Sequence, residues 1–551
     1  MLKRIYNLLQ ADERKKALKM AITVFFTALL DFISLAALLP VLYFLLEDGN
    51  QNKAAFIFSI VAVVVIIIKS LFSILLTRYQ NRCLLSFYKR LSFSLFSSYY
   101  NRGLLFIREQ GSNKLGYEIN SMCYGFSHSL LAPLCRMAGD ALLILLITIA
   151  LLIWNGTTVL ILYATFIPFM CFYFFGIKNK VRKYGEEDRD AKREQSRVVA
   201  DTFRGYVDLE INGAFPNLQK SFLEGMDKIG NNRLKLDTLL RLPMFLSELS
   251  VVVGLVVLVT FGTGDIKMLI GVFAVAAFRL LPALRTILSC WTQIQNAECC
   301  LDAIEEGLKE FDTTETVNRR EISFCNSIDI KNLTYAYPNS EILFSNFNCT
   351  INKGEYLGFC GTSGAGKSTL FNLIIGLLEP TSGQIEIDGN TLNKETRNSW
   401  IKNIGYVPQE VYIFNGTIAE NIALGFKDID KEKISQLIKW TSLDTWIDSL
   451  PHGIDTSLHE AGGNLSGGQK QRIGIARALY KGASVLLMDE ATSALDNNTE
   501  QEIIETIKEL KNSCNNLTIL SIAHRASSLS YCDRIITIKR DDEQNIQGSG
   551  I

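Results

Sequence analysis

Residues 355–378 read EYLGFCGTSGAGKSTLFNLIIGLL. The apolar run from Tyr356 to Cys360 has the length and composition of a buried strand. It leads directly into Gly361, Thr362, Ser363, Gly364, Ala365, Gly366, Lys367, Ser368 and Thr369, and an apolar helical run follows. Strand, loop of the form G-x-x-x-x-G-K-[ST] and helix together are the context in which such a loop cradles phosphate. Gly361, Gly364 and Gly366 let the main chain wrap closely and turn its N–H groups toward an anion. Lys367 is a cation for β- and γ-phosphates, and Ser368 is a hydroxyl placed for Mg²⁺. A glycine turn without a ligand does not explain the joint match of motif and flanks.

Toward the C-terminus, 484–496 read SVLLMDEATSALD. Val485 to Met488 predict a second buried strand, with Asp489 and Glu490 at its end. Asp489 suits indirect Mg²⁺ coordination. Glu490 suits orienting an attacking water, because phosphoryl transfer needs a positioned nucleophile and neutralised charge. Between the two stretches lies NLSGGQKQR at 464–472. Alone, this polar glycine turn reads as a helix cap.

Toward the N-terminus the chain changes character. Apolar stretches lie near 18–46, 54–77, 130–154, 157–177, 239–263 and 266–290. Each is long enough for a hydrocarbon core of about 30 Å, which takes about 20 residues of helix. Lys and Arg crowd the segments before the first stretch, across 78–125 and across 178–238, whereas EDGNQNK, NGTT and GTGDIK are short and poor in them. The positive-inside rule then puts both ends of this half in the cytosol. The first twenty residues are charged and amphipathic, without the pattern of a cleaved leader. They are expected to lie as a helix along the membrane surface. Ionisable residues fall within or beside the apolar runs: Asp31, Lys69, Arg136, Asp140, Arg241, Glu248, Arg279 and Arg285. Such charges face a bundle interior or a water-filled path. Arg279 reads as an anion contact for a transported substrate, as a structural partner of Asp31, Asp140 or Glu248, or as a snorkelling side chain. Pro282 is expected to kink its span.

Composition agrees with a chain in two halves. The 551 residues carry 56 basic and 56 acidic side chains, so the strongly basic balance of a nucleic-acid binder is missing. The apolar share of 48% excludes a disordered scaffold. Twelve cysteines without a C-x-x-C pair, and four histidines, give neither a zinc site nor a disulfide framework.

With these motifs in order, the chain resembles an ATP-binding cassette (ABC) transporter of the exporter type. The resemblance implies a six-helix transmembrane domain over 1–315, a linker over 316–326 and an α/β P-loop NTPase domain over 327–551. It further implies ATP and Mg²⁺ as cofactors and a multi-pass protein of the cytoplasmic membrane with both termini cytosolic. Carried over residue by residue, Tyr337 in LTYAYP matches the aromatic that stacks on adenine. Gln409 in IGYVPQ matches the glutamine that senses Mg²⁺ and links to the membrane half. Ser466, Gly467, Gly468 and Gln469 match the signature that caps the γ-phosphate bound by the opposite subunit. Asp496 matches a loop at the dimer interface, and His524 in SIAH the switch histidine on the γ-phosphate. Lys367, Gln409, Glu490 and His524 form the implied catalytic set, and Ser368, Gln409 and Asp489 the metal set. His459 stands where a glycine is usual in TSLHEAGG, while Glu460 keeps the acidic position. One copy of each motif implies a dimer, of identical copies or with a related chain. Candidate coupling segments are 111–119 and 215–227. The membrane half resembles exporters that flip lipid-linked oligosaccharides, which makes Arg279 the first substrate candidate. A multidrug, lipid or peptide exporter is the alternative, and an ATP-gated regulator that does not pump is a third reading.

Overall fold

The computed structural model describes all residues except 47–51, 155, 262–265, 310–319, 459–464, 491–499, 503–504, 506, 510, 512–516, 524–528 and 539–551. It divides into two units: Met1–Arg102 with Phe106–Asp312, and Gly103–Leu105 with Thr313–Ile551.

The first unit is helical. Its longest helices are Asn52–Asn101 with 50 residues, Gly156–Arg204 with 49, Phe215–Phe261 with 47 and Ile266–Leu308 with 43. At 1.5 Å per residue these are roughly 65–75 Å long, about twice a hydrocarbon core. They therefore extend well past any bilayer they cross. Among the described residues, five helices are long and apolar enough to span a membrane. The remaining expected span, 157–177, lies inside Gly156–Arg204. Most of the short-loop residues fall outside the described residues. The helix Ile266–Leu308 runs unbroken through Pro282, and the Thr286 hydroxyl donates to the Pro282 carbonyl at 2.9 Å.

The N-terminal twenty residues are not one surface helix. They form Leu2–Leu8 and then the start of Ala11–Ala36, which continues into the first apolar stretch. The break has a local cause. Gln10 caps the second helix in a reciprocal box with Glu13. Glu13 is buried and binds the Arg90 guanidinium at 2.6 and 2.9 Å, which fixes this start against the helix Asn52–Asn101. The candidate coupling stretches coincide with helix starts. Gly111, at φ +76°, separates Gly103–Gln110 from Ser112–Tyr117, and Gly213, at φ +59°, precedes Phe215–Phe261.

The second unit is α/β. Its strands are β1 (Ser327–Ala336), β2 (Ile342–Asn352), β3 (Tyr356–Gly361), β4 (Ser382–Ile387), β5 (Asn390–Thr391), β6 (Ile404–Val407), β7 (Gly416–Thr417), β8 (Ser457–Leu458), β9 (Val485–Asp489), β10 (Thr518–Ile522) and β11 (Arg534–Ile538). The order β11-β3-β10-β9-β6 makes a parallel sheet, and β2-β1-β4-β5 an antiparallel one. β9 and β10 are buried at every position, which is why VLLMD and TILSI read as continuous apolar runs. β1 alternates instead, because it lies in the antiparallel sheet with one face covered. Trp400 is fully buried in the core, and its indole donates to the Ile374 carbonyl of the helix Lys367–Ile375 at 2.8 Å.

Asp388 fastens the entry to this unit. Its carboxylate accepts the backbone N–H of Cys325, and those of Asn326 and Ser327 at 2.8 Å each. Burial alone would raise this carboxyl, but the three donors outweigh it and hold it below the ordinary carboxylate range. A depressed folded pKa contributes stability that is complete above the unfolded value of about 3.9 and is lost as pH falls through the folded one. Asp388→Asn should therefore destabilise the second unit by about 1 kcal/mol near neutral pH. In urea unfolding, the gap from wild type should hold at pH 7 and close below about pH 4. A gap independent of pH would remove the carboxylate from this role.

Candidate nucleotide-binding site

The site is built where β3, β9 and β6 end on one edge of the parallel sheet. Ligands of open α/β sheets bind at such carboxyl ends. β3 finishes at Gly361, where an added Cβ would sit 2.1 Å from the Ile538 carbonyl oxygen, so no side chain fits. The loop then turns through Gly364 at φ +82° and Gly366 at φ +90° into the helix Lys367–Ile375. No side chain caps this helix. Its first N–H groups thus face the loop, a ready anion site.

Lys367 is buried, and its amine donates to the Gly361 carbonyl at 2.9 Å and the Thr362 carbonyl at 3.0 Å. Burial lowers its pKa, against the opposing pull of Glu490 and Asp489. A buried cation held by two carbonyls gains directly when an anion enters beside it. Ser363 and Ala365 complete the loop, with Ala365 in the core.

Asp489 ends β9. It accepts from the Ser368 hydroxyl at 3.0 Å and from Tyr406 Oη at 3.3 Å. Burial raises its pKa, and the two hydroxyl donors oppose that. Glu490 follows in a left-handed conformation, φ +49°, and its N–H donates to the Ile522 carbonyl at 3.1 Å. That conformation is uncommon for a residue with a Cβ and accompanies functional sites. The Gln409 amide, just past β6, donates to the Glu490 carboxylate at 2.9 Å. Hydroxyl, carboxylate and amide oxygens converge here, a donor set that fits Mg²⁺.

Tyr337 follows β1, and its hydroxyl lies 3.0 Å from that of Thr369. The ring therefore borders the helix that the phosphate loop opens. Ser466 caps the helix Gly467–Tyr480 in a reciprocal box: the Gln469 N–H donates to Ser466 Oγ at 3.2 Å and the Ser466 N–H to Gln469 Oε1 at 2.9 Å. The signature is thus a helix cap in the single chain. His459, Glu460, Asp496 and His524 lie outside the described residues.

The structure adds Tyr406 to the set. Its signal was the strand IGYV beside Gln409, legible only once β6 is known to pair with β9. In the first unit, Arg279 lies 3.6 Å from Asp31 and 3.5 Å from Ser34 Oγ, and Asp31 also binds Lys69. Of the three partners considered for Arg279, Asp31 is the one found within ion-pair reach. Glu248 pairs instead with Arg285 at 3.2 Å.

Gly366→Ala tests the loop geometry. Its Cβ would come within 2.8 Å of Leu343 and 2.9 Å of Phe344, in a conformation that disfavours alanine. We expect a loss of more than about 1 kcal/mol in unfolding experiments, together with weaker nucleotide binding by equilibrium titration. Unchanged values in both would contradict this packing.

Comparisons with known proteins follow the same lines. Residues 344–493 match the ABC transporter family model. Over 246 residues the chain is 40% identical to a probable ABC transporter ATP-binding/permease protein of Haemophilus influenzae, covering 45% of this chain and 43% of the relative. It is 40% identical over 231 residues to an ATP-dependent lipid A-core flippase of Syntrophus aciditrophicus, covering 42% and 37%. These two alignments thus span less than half of each relative. A lipid A-core flippase of Ralstonia nicotianae matches at 28% over 414 residues, 73% of this chain and 69% of the relative. A bacterial Atm1-family ABC exporter solved with ATP bound superposes with a TM-score of 0.77 at 22% identity, covering 95% of this chain and 93% of that one. Residues 344–493 are therefore an ABC transporter domain, carried on a chain that has the fold of a fused ABC exporter.

Proposed function

We propose that two copies of this chain form an ATP-driven exporter that flips an amphipathic, lipid-type substrate across the cytoplasmic membrane. The observation that carries the reading is one intact set of hydrolytic groups behind a set of membrane-length helices. Lys367, Ser368, Asp489, Glu490 and Gln409 converge at one sheet edge, and the first unit is built of apolar helices. The relatives named lipid A-core flippases favour a lipid substrate over a soluble one. In this reading 1–315 is the membrane domain, 316–326 the linker and 327–551 the ATP-binding domain. Both termini lie on the cytosolic side, where the positive loops are.

The chemistry follows from the geometry. The loop 361–369 wraps the phosphates with its N–H groups, and Lys367 turns from its two carbonyls to the β- and γ-oxygens. Tyr337 stacks on the adenine. Ser368, Asp489 and Gln409 would hold Mg²⁺, whose charge would offset the negative charge of the phosphates. Glu490 accepts the proton of the attacking water, and its Gln409 contact holds it on line until nucleotide arrives. Ser466, Gly467, Gly468 and Gln469 of one copy close on the γ-phosphate of the other, with His524 beside it. Hydrolysis removes the bridging phosphate, and the copies separate. Arg279, its side chain 31% exposed at the Asp31 pair, is a candidate head-group contact.

Glu490→Gln should keep ATP affinity while turnover falls roughly 100-fold or more, the usual effect of losing a general base. Purified protein in liposomes, assayed for phosphate release and nucleotide binding, checks both. Wild-type turnover in that variant would take the base assignment away. ATP-dependent flipping of a lipid-linked glycan, but not of dyes, supports the substrate class; movement of dyes alone would replace it with the multidrug reading.

A further inference from the structure

The first unit gathers several of its intramembrane charges close together. Lys69, Asp140 and Arg279 each stand roughly 20–25 Å from the short-loop end of their helix, at 1.5 Å per residue, and Asp31 is within ion-pair reach of two of them. Charge at this depth is costly unless it is paired or hydrated. Asp31 meets that demand through Lys69 and Arg279.

Beside this pairing lies a half-open chamber of about 320 Å³. Four helices wall it: Ala11–Ala36, Asn52–Asn101, Ala132–Trp154 and Ile266–Leu308. Its polar lining includes Asp31, Gln80, Asn81, Arg136 and Asp140 together with threonine hydroxyls. Neither Arg136 nor Asp140 makes a salt bridge among the described residues. Both line the chamber, Asp140 within hydrogen-bond reach of the Thr286 side chain and near Arg279, and the volume is at the lower end of small-ligand sites, about 300–1,000 Å³.

The lining chemistry selects the ligand. An organic cation is held by aromatic faces, and no aromatic ring is among the described lining residues. A bare phosphate calls for clustered cations, whereas this lining sets one guanidinium against two carboxylates. Carboxylate, carboxamide, guanidinium and hydroxyl side by side offer donors and acceptors in mixed order. Vicinal hydroxyls, each both donor and acceptor, match that order.

We propose that this chamber binds the sugar of a glycolipid head group and is the entry subsite of the exporter. The inference rests on the exporter reading above and names where its substrate is read. Asp140 and Asn81 take the sugar hydroxyls, with Arg136 at the chamber edge, while the lipid tail stays among the apolar helices.

The test uses the full chain in phosphatidylcholine liposomes with two probes of equal tail, a glucosyl polyprenyl phosphate and the unglycosylated polyprenyl phosphate. The readouts are basal ATPase and the half-saturating probe concentration for its stimulation. Asn81 is exposed, so Asn81→Leu is the first variant and Asp140→Leu the second. We expect half-saturation by the glucosyl probe to rise about tenfold in each, the effect of a lost hydrogen-bonding group at about 1.4 kcal/mol. Basal ATPase and the response to the plain lipid should stay as in wild type, and Asp140→Asn should recover most of the loss. Equal shifts for both lipids, or no shift with the glucosyl probe, would overturn the chamber while leaving glycolipid export standing. A wild type that ignores the glucosyl probe altogether would overturn both.

Discussion

A single hydrogen bond joins the two halves of the nucleotide site. The Ser368 hydroxyl, on the first turn after the phosphate loop, donates to Asp489 at the end of β9. β3 and β9 are not neighbours; β10 lies between them. The bond therefore spans the sheet edge and sets how far the loop stands from the acidic pair. Tyr406 braces the same carboxylate from β6. Bringing Asp489 and Lys367 together in a buried place raises the free energy of the unliganded site, because each charge loses water. An anionic nucleotide answers the buried Lys367 cation, so binding relieves a tension that folding builds in.

The membrane unit obeys the same rule in a different solvent. Its helices satisfy their own backbone, which is what hydrocarbon demands. Several of its charges are paired across helices: Asp31 with Lys69 and Arg279, Glu248 with Arg285, Glu13 with Arg90. Each pair joins two different helices and so fixes their register. The ionisable groups that line the 320 Å³ chamber are then informative, since an ionisable side chain is not kept at such depth without a partner or water.

Much of this was legible before any coordinates. The phosphate loop, the acidic strand end and the helix-capping signature are local motifs whose meaning depends on neighbours along the chain. The apolar stretches were equally plain, because hydrophobic length is a local property. The first twenty residues were harder. Their amphipathic charge suggested one surface helix, but the Gln10–Glu13 box and the reach of Arg90 from a distant helix split them. Tyr406 escaped notice because strand pairing, which puts it beside Asp489, joins residues some eighty positions apart.

The sequence by itself determined that this chain couples a phosphate-binding α/β unit to a set of apolar helices, because strand length, glycine placement and hydrophobic periodicity act over a few residues. Only the tertiary structure decided which charges meet. Arg279 had three carboxylates to choose from, and helix packing gave it Asp31; Asp489 found its hydroxyl partners through the order of strands in a sheet. Coulomb and hydrogen-bond energies fall off within a few ångströms, and distance along the chain carries no record of such closeness.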